Sequence, residues 1–162
     1  MQRFIAFLFM SWFLALPHGA ESQHQLTVTS KADDGALSSV DYTTEDLLSM
    51  EAVTVSTSND FVDAETKFVG PLLRDLFSSE ALTSDSAIKL TALNDYSTVI
   101  PGAEVLDYDV IVAVLADGKP MSIRDKGPYW IIYPMTQNPE LRDPKYNDRL
   151  IWQLSHIELV RE

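Results

Sequence analysis

Between Asp109 and Asp117 the chain reads VIVAVLA, apolar without interruption. A run of this length suits a strand, and apolar character at every position means that both of its faces are buried. Asp117-Gly118 then turns the chain in hairpin fashion. A second apolar run, Tyr129 to Tyr133 (YWIIY), opens directly after Gly127-Pro128. Strands covered on both faces need packing layers on each side, so a sheet-centred domain is what this chain can build. Its 162 residues make one such domain the expectation.

The remaining segments are short. Gln25 to Ser30 (QLTVTS) and Glu51 to Ser58 (EAVTVSTS) alternate as strands do. Lys31 to Val40 contains Asp-Asp-Gly and reads as a loop, as does the polar stretch Ser58 to Ala64. Thr44 followed by Glu45, Asp46, Leu47 and Leu48 predicts an N-cap and a short helix. Pro71 at a first helical position, with Leu72, Leu73, Leu76 and Phe77, predicts another. Ile88, Leu90 and Ala92 mark a strand, and Asn94-Asp95-Tyr96-Ser97 a turn. Ile100-Pro101-Gly102 breaks the chain before a helical turn at Glu104 to Leu106. Pro120 to Ile123 returns as a short strand. Gln137 to Arg149, with Pro139 and Pro144, reads as a long surface excursion, and Ile151 to Val160 as the closing strand. Seven or so short strands with two or three short helices predict an α+β domain, compact and mostly β.

The first twenty residues stand apart. Met1-Gln2-Arg3 is followed by the uncharged apolar run Phe4 to Leu16 and then by Pro17-His18-Gly19-Ala20. That order is the order of a secretory signal peptide, and the run is shorter than the roughly 18 residues of a spanning helix. The expectation is a signal peptide over 1–20 and one exported domain over 21–162. The formal charge is −12; without Arg3 it becomes 11 − 24 = −13. Such an acidic chain repels nucleic acid and anionic lipid surfaces, which sets a nucleic-acid function aside. There is no cysteine, hence no disulfide, no thiol nucleophile and no thiolate metal ligand. Of the three histidines only His156 lies well inside the domain, mid-strand, where a surface or cross-strand role is expected. Asp33-Asp34 and Asp107/Asp109 lack the spacing of a calcium loop. No glycine-rich phosphate loop is present.

One segment is locally basic. Arg124-Asp125-Lys126 precedes the Gly-Pro turn, and Tyr129 and Trp130 follow it. Arginine offers a planar donor fork, and the aromatic rings offer flat apolar surface. Asn94, Asp95 and Tyr96 form a second polar loop with an acid and an aromatic. Two readings stand side by side: a surface ion pair above a packed tryptophan, or the rim of a ligand pocket.

Several stretches resemble the sulfite-oxidase-type molybdopterin-binding family. Phe68-Val69-Gly70-Pro71-Leu72-Leu73-Arg74-Asp75-Leu76 resembles its F-x-G-x-x-L-x-x-L stretch. Thr91 to Ser97 is similar to its turn after a strand, with Ile100-Pro101 following. Asp117-Gly118-Lys119-Pro120-Met121 resembles its x-G-x-P-L turn. Lys126 to Pro134 is similar to its G-G-P-x-R-x-x-x-P segment, and Trp152 matches a tryptophan near its end. The resemblance runs from about Val53 to Val160. The departures are Lys126 in place of the first glycine, Tyr129-Trp130 where an arginine is expected, and the missing cysteine. In catalytic members a cysteine thiolate binds molybdenum; without one, no molybdenum is expected here and oxidoreductase activity is not implied.

The resemblance is closer to short, exported, cysteine-free members that share an R-D-K-G-P-x-W-I-x-Y-P segment. What that group implies is a periplasmic, non-enzymatic sensor of free pterins, reduced ones included. Such a sensor regulates a membrane-bound diguanylate cyclase or phosphodiesterase, and so cyclic-di-GMP signalling and biofilm formation. On this reading Arg124 or Lys126 donates to the ring carbonyl or a ring nitrogen, Asp95 accepts from the amino edge, and Trp130 or Tyr96 stacks on the bicycle. The alternatives are an oxidoreductase with an unusual metal ligand, and a periplasmic interaction module that binds no ligand.

Overall fold

The structure is a computed structural model that describes residues 24–31 and 36–160. The expected signal peptide, residues 1–20, lies outside the described residues. Among the described residues eleven strands form three sheets. The largest runs β2 (Leu37–Tyr42), β1 (Leu26–Lys31), β11 (Leu154–Val160), β5 (Ala87–Ala92), β6 (Ser97–Pro101). A second comprises β3 (Ala52–Asn59), β4 (Val62–Pro71), β8 (Leu115–Ala116) and β9 (Lys119–Pro120). Between them lies the pair β7 (Ile111–Ala113) and β10 (Trp130–Ile132). Every pairing is antiparallel except β1 with β11. Two helices, α1 (Thr44–Ser49) and α2 (Gly102–Asp107), and four 3₁₀ turns complete the domain.

The central pair explains the unbroken apolar runs. Ile131 opposes Val112, and both face the larger core with Leu26, Leu90, Ile157 and Tyr133. Ile111, Ala113, Trp130 and Ile132 face the other way, into a smaller core with Phe68 and Val55. Both faces are therefore dry, and alternation has no polar partner to show. The VIVAVLA run is not one strand. It breaks at Val114, whose N–H donates to the Val69 carbonyl at 2.8 Å, and Leu115-Ala116 then pair with β4. One apolar segment thus serves two sheets.

Other expectations shift for local reasons. Lys31 to Val40 is not all loop: β2 begins at Leu37 and pairs along β1, but its residues are exposed on nearly every side, so it carries little apolar pattern. Ser58 to Ala64 is the tip of the β3–β4 hairpin, which continues its pairing to Asn59 and Val62. Pro71 closes β4, and the expected helix there is a 3₁₀ turn, Leu73–Leu76. The N-cap of α1 is Thr43 rather than Thr44. Its hydroxyl accepts from the Asp46 N–H at 3.1 Å, and the Asp46 carboxylate accepts from the Thr43 N–H at 2.8 Å. The Thr43 hydroxyl and backbone bonds hold the Asp46 carboxyl below its ordinary range. The return strand ends at Pro120, and Ile123–Asp125 is one 3₁₀ turn. The polar excursion after Gln137 forms two such turns, with Leu141 and Tyr146 set into the larger core. His156 is the expected cross-strand residue, its Nε2 2.9 Å from Thr29 Oγ1.

Gly70 is fixed by close approach. A Cβ there would lie 1.9 Å from the Val112 carbonyl oxygen, backbone against backbone. Gly70→Ala is expected to destabilise the domain by about 3 kcal/mol or more, read by urea denaturation. A loss under about 1 kcal/mol would show that β4 and β7 can separate without cost.

Candidate functional site

The site is built around the return of the chain after the excursion. Leu150, Ile151 and Trp152 run back along β10. The Trp130 indole N–H donates to the Leu150 carbonyl at 2.9 Å, Ile131 N–H donates to Ile151 at 2.9 Å, and Trp152 bridges Trp130. This places the half-buried Trp152 edge-on between Phe61, with ring centroids 4.9 Å apart, and Trp130, 6.4 Å apart.

On the outer side of Trp152 lies a cleft of about 280 Å³. Phe61, Tyr96 and Trp152 supply its aromatic walls, and Asn94, Asn147, Asp148 and Gln153 its polar groups. Among the described residues no Lys or Arg lines it. The Asn94–Ser97 turn holds Tyr96 there. Asn94 Oδ1 accepts from the Tyr96 N–H at 3.2 Å, Tyr96 returns its carbonyl to the Ala92 N–H at 2.9 Å, and Asp95 takes a left-handed backbone, φ 66°. Opposite, Phe61 is set by the hairpin tip, where Asn59 Oδ1 accepts from its N–H at 2.9 Å. Asn147 donates to Asp60 and so ties the excursion to that tip. The cleft is apolar over its walls and hydrogen-bonding at its edge, the composition of a small-molecule site.

The five residues singled out from the sequence divide between two faces. Tyr96 lines this cleft, with 49 % of its surface exposed. Asp95 is exposed in the same turn but does not line the cleft. Lys126 and Trp130 line a second cleft of about 250 Å³, with Lys119, Met121 and Phe68. Trp130 is only 2 % exposed and packs edge-on against Phe68 at 5.3 Å, with the Lys126 amine 5.4 Å from its ring centre. Its indole is occupied by the core, so its face is not free to stack on a ligand. Arg124 is exposed and lines neither cleft.

Gln153 joins the two faces and was not singled out by sequence reasoning. Its carbonyl accepts from the Leu93 N–H at 2.8 Å, its N–H donates to the Lys126 carbonyl at 3.2 Å, and its Nε2 donates to the Ile123 carbonyl at 2.7 Å. Phe61, Asn147 and Asp148 were also missed. The one sequence signal was Trp152-Gln153 itself, which interrupts the apolar pattern before Leu154. Among the described residues no three His, Asp or Glu side chains gather as a metal-binding set. No described helix is long and apolar enough to cross a membrane.

No family model matches the chain, and no curated protein matches it. Among solved structures, the sulfane dehydrogenase SoxCD from Paracoccus pantotrophus is similar, with a TM-score of 0.59 at 14 % identity. The likeness covers 86 % of this chain and 38 % of that one. At this identity it shows the fold alone: the chain has a mostly β, sulfite-oxidase-type fold and spans well under half the length of the dehydrogenase.

The stability consequences of the two faces differ. Trp130→Ala removes a buried ring and leaves the Leu150 carbonyl without its donor, so a loss of about 3–5 kcal/mol is expected in guanidinium denaturation. Arg124→Ala is expected to stay within about 0.5 kcal/mol of the parent. Equal effects would mean that the Trp130 ring is not core.

Proposed function

We propose that the chain is an exported, non-enzymatic pterin-binding protein that reports its ligand to a membrane-bound protein of cyclic-di-GMP signalling. The observation that carries the ligand part is the aromatic cleft with an amide and carboxylate edge. A pterin is a flat bicycle with donors and acceptors along one side. Tyr96 and Trp152 offer stacking surface, worth about 1 kcal/mol beyond burial per good contact. Asp148 would accept from the ring's amino group, and Asn94, Asn147 and Gln153 would serve the carbonyl and ring nitrogens. The composition of this cleft supports a ligand on the Tyr96 side rather than at the Arg124, Lys126 and Trp130 rim.

The same cleft does not fit a molybdenum centre. The chain has no thiol to ligate the metal. No described cation lines the cleft to receive a phosphate, while Asp148 lies at its edge and Asp60 bonds to the adjoining Asn147. A phosphorylated pterin would meet like charge there. These features favour a free, unphosphorylated pterin over a phosphorylated one. The export and signalling parts rest on the resemblance of the Arg124–Pro134 segment and on the N-terminal run.

Titration of the protein with tetrahydromonapterin, followed by tryptophan fluorescence, tests the ligand assignment. Micromolar or tighter binding is expected, weakened about tenfold or more in Trp152→Ala and in Asp148→Asn, each loss being a contact worth about 1.4 kcal/mol. A phosphorylated pterin is expected to bind more weakly than its free form. No binding of the reduced pterin at tens of micromolar, or equal binding by Trp152→Ala, would overturn it.

A further inference from the structure

Left-handed backbone outside glycine is uncommon and gathers where a surrounding structure enforces it. Among the described residues four non-glycine positions have positive φ: Asp95 at 66°, Asp117 at 48°, Lys126 at 66° and Gln153 at 52°. Asp117 belongs to an ordinary hairpin turn with Gly118. The other three sit in segments that Gln153 ties together. Its carbonyl holds Leu93, two residues before Asp95, and its N–H holds the carbonyl of Lys126.

The loop from Ser122 to Gly127 has few other fastenings. Its remaining hydrogen bonds are internal: Asp125 and Gly127 N–H to the Ser122 carbonyl, and the Ser122 hydroxyl to Asp125. Among the described residues, both hydrogen bonds from this loop to the rest of the protein come from Gln153. Gln153 also lines the cleft. Its side-chain amide has two N–H donors on one nitrogen, which bonds to the Ile123 carbonyl at 2.7 Å, so a ligand edge that turns the amide toward the cleft draws both away from Ile123.

We infer that Gln153 is a positioning residue that couples the cleft to the Ser122–Gly127 loop. A ligand edge that draws the Gln153 amide into the cleft takes it from Ile123 and loosens the loop, which then keeps only the backbone bond from the Gln153 N–H to the Lys126 carbonyl. The loop displays Ile123, 38 % exposed, and Arg124, an apolar and cationic pair on an acidic protein. Cleft occupancy is thereby converted into a change at the protein surface. The ligand step rests on the cleft being the pterin site; the link between cleft and loop does not.

Amide hydrogen exchange by NMR on the whole protein separates the two. Without ligand, Gln153→Met removes the donor while keeping the side-chain volume. It is expected to speed exchange at the Asp125 and Gly127 amides about fivefold or more, with the Leu90 and Ile157 amides unchanged as a measure of global stability. Gln153→Asn, which accepts left-handed backbone more readily but has a shorter reach, is expected to act the same way and serves if the methionine variant folds poorly. Unchanged exchange at Asp125 and Gly127 in a folded variant overturns the coupling. With saturating tetrahydromonapterin, the parent is expected to gain exchange at the same amides and the variants to show no further change. Binding that leaves the parent's loop unchanged, or slows its exchange, also overturns it. Failure of the parent to bind the pterin counts against the pterin assignment alone, because the ligand-free comparison still decides the coupling.

Discussion

The bond from the buried Trp130 indole to the Leu150 carbonyl organises the functional face. It sits at the end of a long excursion that could otherwise rejoin the sheet in many registers. A buried carbonyl without a donor is costly, about 1–3 kcal/mol, so the chain is held to the arrangement that satisfies it. Ile151 and Leu154 then add backbone bonds to Ile131 and Tyr129. With the register set, Trp152 turns outward beside Phe61, and Gln153 lies between the two loops. Asn147 and Asp148 reach the cleft edge because the excursion must end there.

Much of the scaffold was legible because its physics is local. The VIVAVLA and YWIIY runs announce doubly covered strands, and Val112 and Ile131 do face one core while Ile111 and Trp130 face the other. The break at Val114 was not legible, since an apolar residue can serve either sheet equally well. The strand at Leu37–Tyr42 was hidden for the opposite reason: at an exposed edge, pairing rather than burial defines it. Thr43 and Thr44 are equivalent as caps on paper, and only the reciprocal bonds with Asp46 separate them.

The candidate site was legible in part. Asn-Asp-Tyr marked a turn that tolerates left-handed backbone, and the structure puts Tyr96 of that turn on the cleft. The segment from Arg124 to Trp130 has the composition of a binding rim, but composition does not say which way an aromatic points. Phe68, Trp152 and the Lys126 amine already surround the Trp130 ring. The backbone conformation of Gln153 gave no signal because glutamine has no preference for φ 52°; tertiary bonds impose it. Position 153 acquires its role from where three segments meet, which no local pattern encodes.

A fold shared with a dehydrogenase does not transfer its chemistry, because reactions belong to groups placed on a fold. Here the residue types at the cleft narrow what it can do. A thiol is missing from the whole chain, and the cleft's charge is negative where a phosphate would need cations. What is left is a set of aromatic walls and hydrogen-bonding edges, the features on which the proposed binding of a neutral flat ring rests. Gln153 gives that recognition a further consequence. Its side-chain amide nitrogen is bonded to a surface loop, so on the proposed reading a ligand that turns the amide changes what the surface presents. On the proposed reading the quantity to follow is which partner the amide holds, a ligand edge or the Ile123 carbonyl.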